Sequence, residues 1–289
     1  MMVVRSLLLA GIVVLYGCFF TLQEQKGAER QGSLTMALPV GFYKIAAGYM
    51  QQLAAEMLFI RTSVFLGGVP PGTPAASYEE PLGNNFEVMT RLYPRFIDPY
   101  FFCQSFLAPI SPEAAARANT IFETGIAAHP NDFILRFFYG TNFFLTMNEP
   151  LKGATALAEA AKLPDAPPLF GHLAALLSAQ GGDITAGLIS LKTMLAAEKD
   201  EAVSARYEEE IVIFEQALAV QNGLTAYIKK YGNAPPTLEQ LIPEFITSIP
   251  DIKDSFVLVY DPPNLHLQRP DRKKKQEIGP SENKKVEDK

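Results

Sequence analysis

The sequence predicts a mainly α chain: an N-terminal transmembrane helix, a solenoid of stacked α-hairpins and a small C-terminal α+β hairpin module. Three observations carry this expectation. Residues 3–22 form an apolar run broken only by Arg5, residues 86–197 place small and apolar side chains at helical spacings between prolines and glycines, and residues 256–268 hold the clear strand pair. The expected organisation is an anchor over 1–22, a long amphipathic helix and loop over 34–84, the helical hairpins over 85–198, a capping helix with the hairpin module over 199–270, and a disordered charged tail over 271–289.

Composition narrows the function classes. With 289 residues, 48% hydrophobic and only 19% charged, the chain has enough apolar surface for a sizeable core. A net charge of −6 with no basic stripe in the folded part argues against a nucleic-acid surface, which needs lysines and arginines facing phosphates. Cys18 and Cys103 are too few for a disulfide framework or a paired-cysteine metal site.

At about 1.5 Å per residue, the run from 3 to 22 reaches roughly the thickness of the bilayer hydrocarbon as a helix, with Arg5 placed to snorkel. Three readings compete: a cleaved signal peptide, a lipoprotein signal with Cys18 acylated, and an uncleaved anchor. Phe19 and Phe20 continue the apolar helix where a cleavage site wants small residues, and "LYGC" puts the large Tyr16 where a lipobox is small. Length therefore favours the anchor. The short head bearing Arg5 places the N-terminus in the cytoplasm and the remainder outside it, the periplasmic side of a bacterial inner membrane.

After a polar spacer, Phe42, Ile45, Tyr49, Leu53, Met57, Ile60 and Val64 recur at spacings of three and four, predicting a long amphipathic helix packed by that face. Pro39 starts it, and Gly67, Gly68, Pro70 and Pro71 stop it. Residues 69–84 read as a flexible loop. The "SYEEP" within it lacks a histidine or third carboxylate, so it reads as solvated rather than as a metal site.

In "ARANTIFETGIAAHPND", Ala118, Phe122, Gly125 and Pro130 space small residues and an aromatic so that two helices can approach closely before a proline ends the unit. The pattern returns. Tyr139, Gly140 and Phe143 precede Ala154, Ala158 and Ala161, with a turn at 148–150; then Leu173, Ala174 and Leu177 precede "QGGD" and Ala186, Ser190 and Thr193. On these residues the stretch 86–197 resembles the tetratricopeptide repeat family, and the order of anchor, long helix and few repeats resembles bacterial membrane-anchored repeat proteins. The resemblance implies a protein-binding solenoid and carries no catalytic residues.

A single helix of some thirty residues follows, with Val203, Tyr207, Ile211, Phe214, Leu218, Gln221 and Leu224 on one face, Gln221 its one polar lapse, capping the stack. Next come a turn at Gly232, a short helix after Pro235 and Pro236, and strands at 256–260 and 265–268 around Asp261-Pro262-Pro263-Asn264. This order resembles the C-terminal half of some pilin-like secretion proteins, without their glycine-rich N-terminal processing site.

Catalytic and cofactor motifs are missing, and His129, His172 and His266 have no partners at ligand spacing. The expectation is no enzyme, no cofactor and no metal. The abundant aromatics at 100–106 and 133–144 exceed what a core needs, which predicts a concave groove lined by some of them with Arg117, Arg136 and Asn142, holding a peptide from a protein partner. The chain thus reads as a membrane-anchored scaffold for protein–protein interaction in envelope assembly or secretion. The alternatives are a structural subunit of a secretion or pilus-like apparatus, or a lipoprotein acylated at Cys18.

Overall fold

The structure, a computed structural model, describes residues 34–252 and 255–270. The apolar run 3–22, Cys18 and the charged tail 271–289 lie outside the described residues. Among the described residues the fold is mainly helical with one small antiparallel sheet, and no helix there is long and apolar enough to cross a membrane. The chain divides into two compact units, 1–135 and 136–289, a boundary that falls inside the span predicted to hold the hairpins.

In the first unit, Pro39 opens α1 (Val40–Ala47) and a 3₁₀ turn (Gly48–Met50) separates it from α2 (Gln51–Gly68). The predicted single helix is therefore two. Gly48 adopts φ +51°, a left-handed conformation that side chains rarely accept, and this breaks the helical run. The face expected to pack also differs. α2 buries Ala55, Leu58 and Thr62, while Leu53, Met57, Ile60 and Val64 stand exposed on the opposite side, as do Phe42, Ile45 and Tyr49 in α1 and the turn. Small residues let α2 lie close to α3 (Glu79–Leu92), so the bulkier stripe was left outside.

α3 starts inside the predicted loop. Glu79, Glu80 and Pro81 of "SYEEP" open it, and the two glutamates complement the positive end of the helix dipole. α4 (Asp98–Phe102) runs on into a π-helical turn (Cys103–Leu107), and α5 (Pro112–Ala128) follows. Ser111 caps α5 by accepting from the Ala114 amide at 3.0 Å, with Pro112 at the first helical position. Ala118, Phe122 and Gly125 are buried as their spacing predicted, and a Cβ on Gly125 would meet the Tyr100 ring at 2.7 Å. α5 packs on α3 and on the π turn.

α6 (Phe133–Leu145) begins where Asp132 accepts from the Ile134 and Leu135 amides at 2.8 and 3.1 Å, and it carries the chain into the second unit. There α7 (Pro150–Ala160), α8 (Leu169–Gln180), α9 (Ile184–Ala197) and α10 (Glu201–Tyr231) follow in order. Each runs antiparallel to the one before. Gly140 faces Leu157 while Gly153 faces Phe144; Gly181 meets Leu151 while Gly171 meets Ala161; and Gly187 touches the Ala175 carbonyl while Gly171 meets Met194. Asp183 and Asp200 cap α9 and α10 through the amides of Ala186, Ala202 and Val203. In the third helix pair the close approach is made by Gly187, one residue beyond the predicted Ala186, and Thr193 is exposed.

α10 ends at Gly232, whose φ of +80° supplies the left-handed cap. A 3₁₀ helix (Leu238–Leu241) stands where the short helix was expected, and β1 (Val257–Asp261) pairs antiparallel with β2 (Asn264–Gln268), Val259 opposite His266. Phe256, Leu265 and Leu267 join Phe214, Val220 and Leu224 of α10 in one buried cluster with residues of α8 and α9.

Candidate functional site

The three predicted groove residues lie in different surroundings. Arg117, on α5 in the first unit, donates to Glu87 Oε1 at 2.6 Å and to Glu80 Oε2 at 2.8 Å, clamping α5 to α3. Burial, the largest influence on Arg117, opposes its charge, yet the hydrogen bonds and charges of Glu87 and Glu80 prevail and hold its proton above the ordinary guanidinium range. Its donors thus serve the unit's own packing. Asn142, on α6 in the second unit, is 1% exposed and offers a partner no surface. Arg136 is half-buried on the same helix, and its Nη1 is buried without a hydrogen-bond partner among the described residues.

A cleft in the second unit was not foreseen. It opens where the α6–α7 turn, the α8–α9 turn and the strand pair meet, lined by Asn148, Glu149, Lys152, Gln180, Asp261 and His266 among others. Asn148 takes φ +56°, which asparagine tolerates better than most residues, and this turns the chain into Pro150 at the start of α7. Strand alternation builds the opposite wall: Val259, Asp261, His266 and Gln268 share one face while Leu265 and Leu267 point into the core. His266 Nδ1 donates to the Gln180 carbonyl at 3.0 Å, which fixes the ring in the wall of the cleft. Lys152 bonds Glu149 at 2.8 Å. The surface offers donors and acceptors of both signs, with no hydroxyl or thiol nucleophile among its lining residues.

His172, a lone histidine in the sequence, has buried partners far along the chain. Its Nε2 donates to Glu210 Oε2 at 2.6 Å, and Arg269 Nη2 donates to Glu210 Oε1 at 2.7 Å. Burial raises the Glu210 carboxyl, but the hydrogen bond and charge of His172 and the charge of Arg269 outweigh it and hold the group below the usual carboxylate range. One carboxylate thereby joins α8, α10 and the residue after β2. It does not line the cleft described above, and its two oxygens are spent on these donors, so it reads as a structural lock. Among the described residues no cluster of three or more histidine, cysteine or acidic side chains stands ready for a metal ion.

In the first unit the distinguishing surface is apolar. Of the large hydrophobic residues that stand exposed, those from Met36 to Val64 form a contiguous series in sequence, Ile45 at 87% and Tyr49 fully open, while the rest are scattered. The sequence signal for this series was present and assigned to the core. In comparisons with known proteins the chain matches no family model, no curated protein and no solved structure.

Proposed function

We propose that this chain is a membrane-anchored scaffold of the tetratricopeptide kind. It holds a protein partner at the bacterial inner membrane, its folded part on the periplasmic side, in envelope assembly or secretion. The observation that supports the reading best is the cleft of the second unit. Helices α6 to α9 turn back on one another through short connections, and two of those turns converge with β1 and β2 on a surface rich in hydrogen-bonding groups. An extended peptide is the ligand such a surface suits, because its backbone needs both donors and acceptors. Residues 3–22 supply the anchor in this reading.

The test is photo-crosslinking in cells. A benzoylphenylalanine at Gln268, in the cleft, is expected to give a discrete adduct that Lys152→Glu abolishes, and the same probe at exposed Glu208 on α10 is expected to give none. No adduct at Gln268, or the same adduct at both positions, would overturn the reading.

A further inference from the structure

α2 is apolar on two opposite sides. One side is Ala55, Leu58 and Thr62, buried; the other is Met50, Leu53, Met57, Ile60 and Val64, spaced 3-4-3-4 along the chain and all exposed. A second apolar stripe on a helix that already packs by the first calls for a cover, and in the first unit this second side faces open solvent. α1 adds Phe42 and Ile45, the turn adds Tyr49, and α1 buries no residue at all.

Where the chain leads identifies the cover. Arg61 Nη2, on the third turn of α2, donates to the Thr35 carbonyl at 3.3 Å, and Asn85 Nδ2 reaches the same oxygen at 3.2 Å. The first described residues are thereby tied beside α2. Only residues 23–33 separate that point from the apolar run 3–22, and eleven residues reach no more than about 40 Å even at full extension. A chain anchored by 3–22 keeps α1 and α2 at the bilayer surface. The side chains suit that place: aromatic, methionine and branched aliphatic groups form the face, with Arg61 on one flank to meet anionic headgroups and Glu56 on the other. A seam of two heptads is by contrast short for a coiled coil with a second copy.

We infer that the exposed apolar face of α1 and α2 lies in the headgroup and upper acyl region of the bilayer, so that the first unit is seated on the membrane and not only tethered to it. The inference builds on the anchor proposed above, and its test separates the two.

The full chain with Cys18→Ser and Met57→Cys carries an environment-sensitive nitrobenzoxadiazole label at position 57; Cys103 is buried and stays unlabelled. It is reconstituted in vesicles of phosphatidylethanolamine and phosphatidylglycerol, with and without doxyl-labelled lipid, beside a Glu208→Cys control. Expected are a blue-shifted emission and at least a twofold quenching by doxyl lipid at position 57, and neither at 208. A water-like emission at 57 overturns the inference. A blue shift without quenching also overturns it, because protein, a second copy or residues 3–22, then covers the face. An alkaline carbonate wash reports on the anchor separately. Label quenched before the wash and protein released by it means that the face binds lipid without an anchor; protein retained with an unquenched label means an anchor without a seated face.

Discussion

Gly171 on α8 and Gly187 on α9 lie across the same helix pair with different room around them, and alanine at the two positions should act in opposite directions. A Cβ at 187 would stand 2.7 Å from the Ala175 carbonyl oxygen and 2.7 Å from a ring carbon of Phe214, whereas at 171 the nearest atom is Met194 Sδ at 3.4 Å. Neither obstacle at 187 can swing aside, since one is backbone and the other is a fully buried ring. The helices must part by about 0.7 Å or more to restore ordinary contact. Overpacking of that kind costs about 1–3 kcal/mol, against which Gly→Ala returns up to about 1 kcal/mol of helix propensity. With two unyielding contacts the cost falls at the upper end, about 3 kcal/mol, so a net loss of about 2 kcal/mol remains and lowers Tm by roughly 4–8 °C for a chain of this size. Gly171→Ala keeps most of the propensity gain and raises Tm by about 1–3 °C. Thermal unfolding followed by far-ultraviolet circular dichroism reads both. A Gly187→Ala chain melting at or above the wild type, or both variants moving the same way, would refute the close helix approach.

Four further outcomes are expected. The Glu210 carboxyl is held low in the folded state, so its contribution is present above the unfolded carboxylate range near about pH 4.3 and is lost as pH falls through the lower folded value; urea midpoints should fall more steeply below pH 5 for wild type than for Glu210→Gln. Arg117→Ala strands Glu87 on the α3–α5 contact and should cost about 1–3 kcal/mol in chemical denaturation, whereas an unchanged midpoint would mean that the clamp contributes nothing. Burial lifts the Cys103 thiol far above its ordinary range, so peptide-resolved iodoacetamide labelling should find it unreacted in the native chain and reacted in denaturant. Asn142→Ala should lower Tm, as loss of a buried polar side chain does, and an unaltered melting curve would show that α6 does not need it.

Local signals were legible in the sequence, and distant ones were not. α10 could be read almost to its ends because Asp200 and Gly232 are strong cap residues and its apolar positions keep one period with a single lapse at Gln221. The strand pair was readable because Phe256 to Tyr260 is a run of aromatic and branched aliphatic residues, Leu265 to Gln268 alternates apolar and polar, and two prolines mark the turn between them. α2 misled because both of its faces are apolar, and periodicity favours the bulkier stripe although the tight contact with α3 needs the smaller one. The start of α3 was missed because Tyr78 is not a capping residue and its side chain makes no cap bond. For the site, Arg117 and Asn142 were expected to line a groove, but a sequence does not tell a charged rim from an internal clamp or a buried amide. Glu87 is 30 residues from Arg117, and His172, Glu210 and Arg269 meet across gaps of 38 and 59 residues, so only the fold brings these partners together.

The placement of α10 has a consequence for how this protein can change. Its 31 residues give a rod of roughly 46 Å whose flank supplies core to the helices before it and to the strands after it. A two-stranded ribbon is marginal in water without such backing. A ribbon transplanted without this rod would leave Phe256, Leu265 and Leu267 uncovered and arrive as an unfolded tail, so the two can only be moved together.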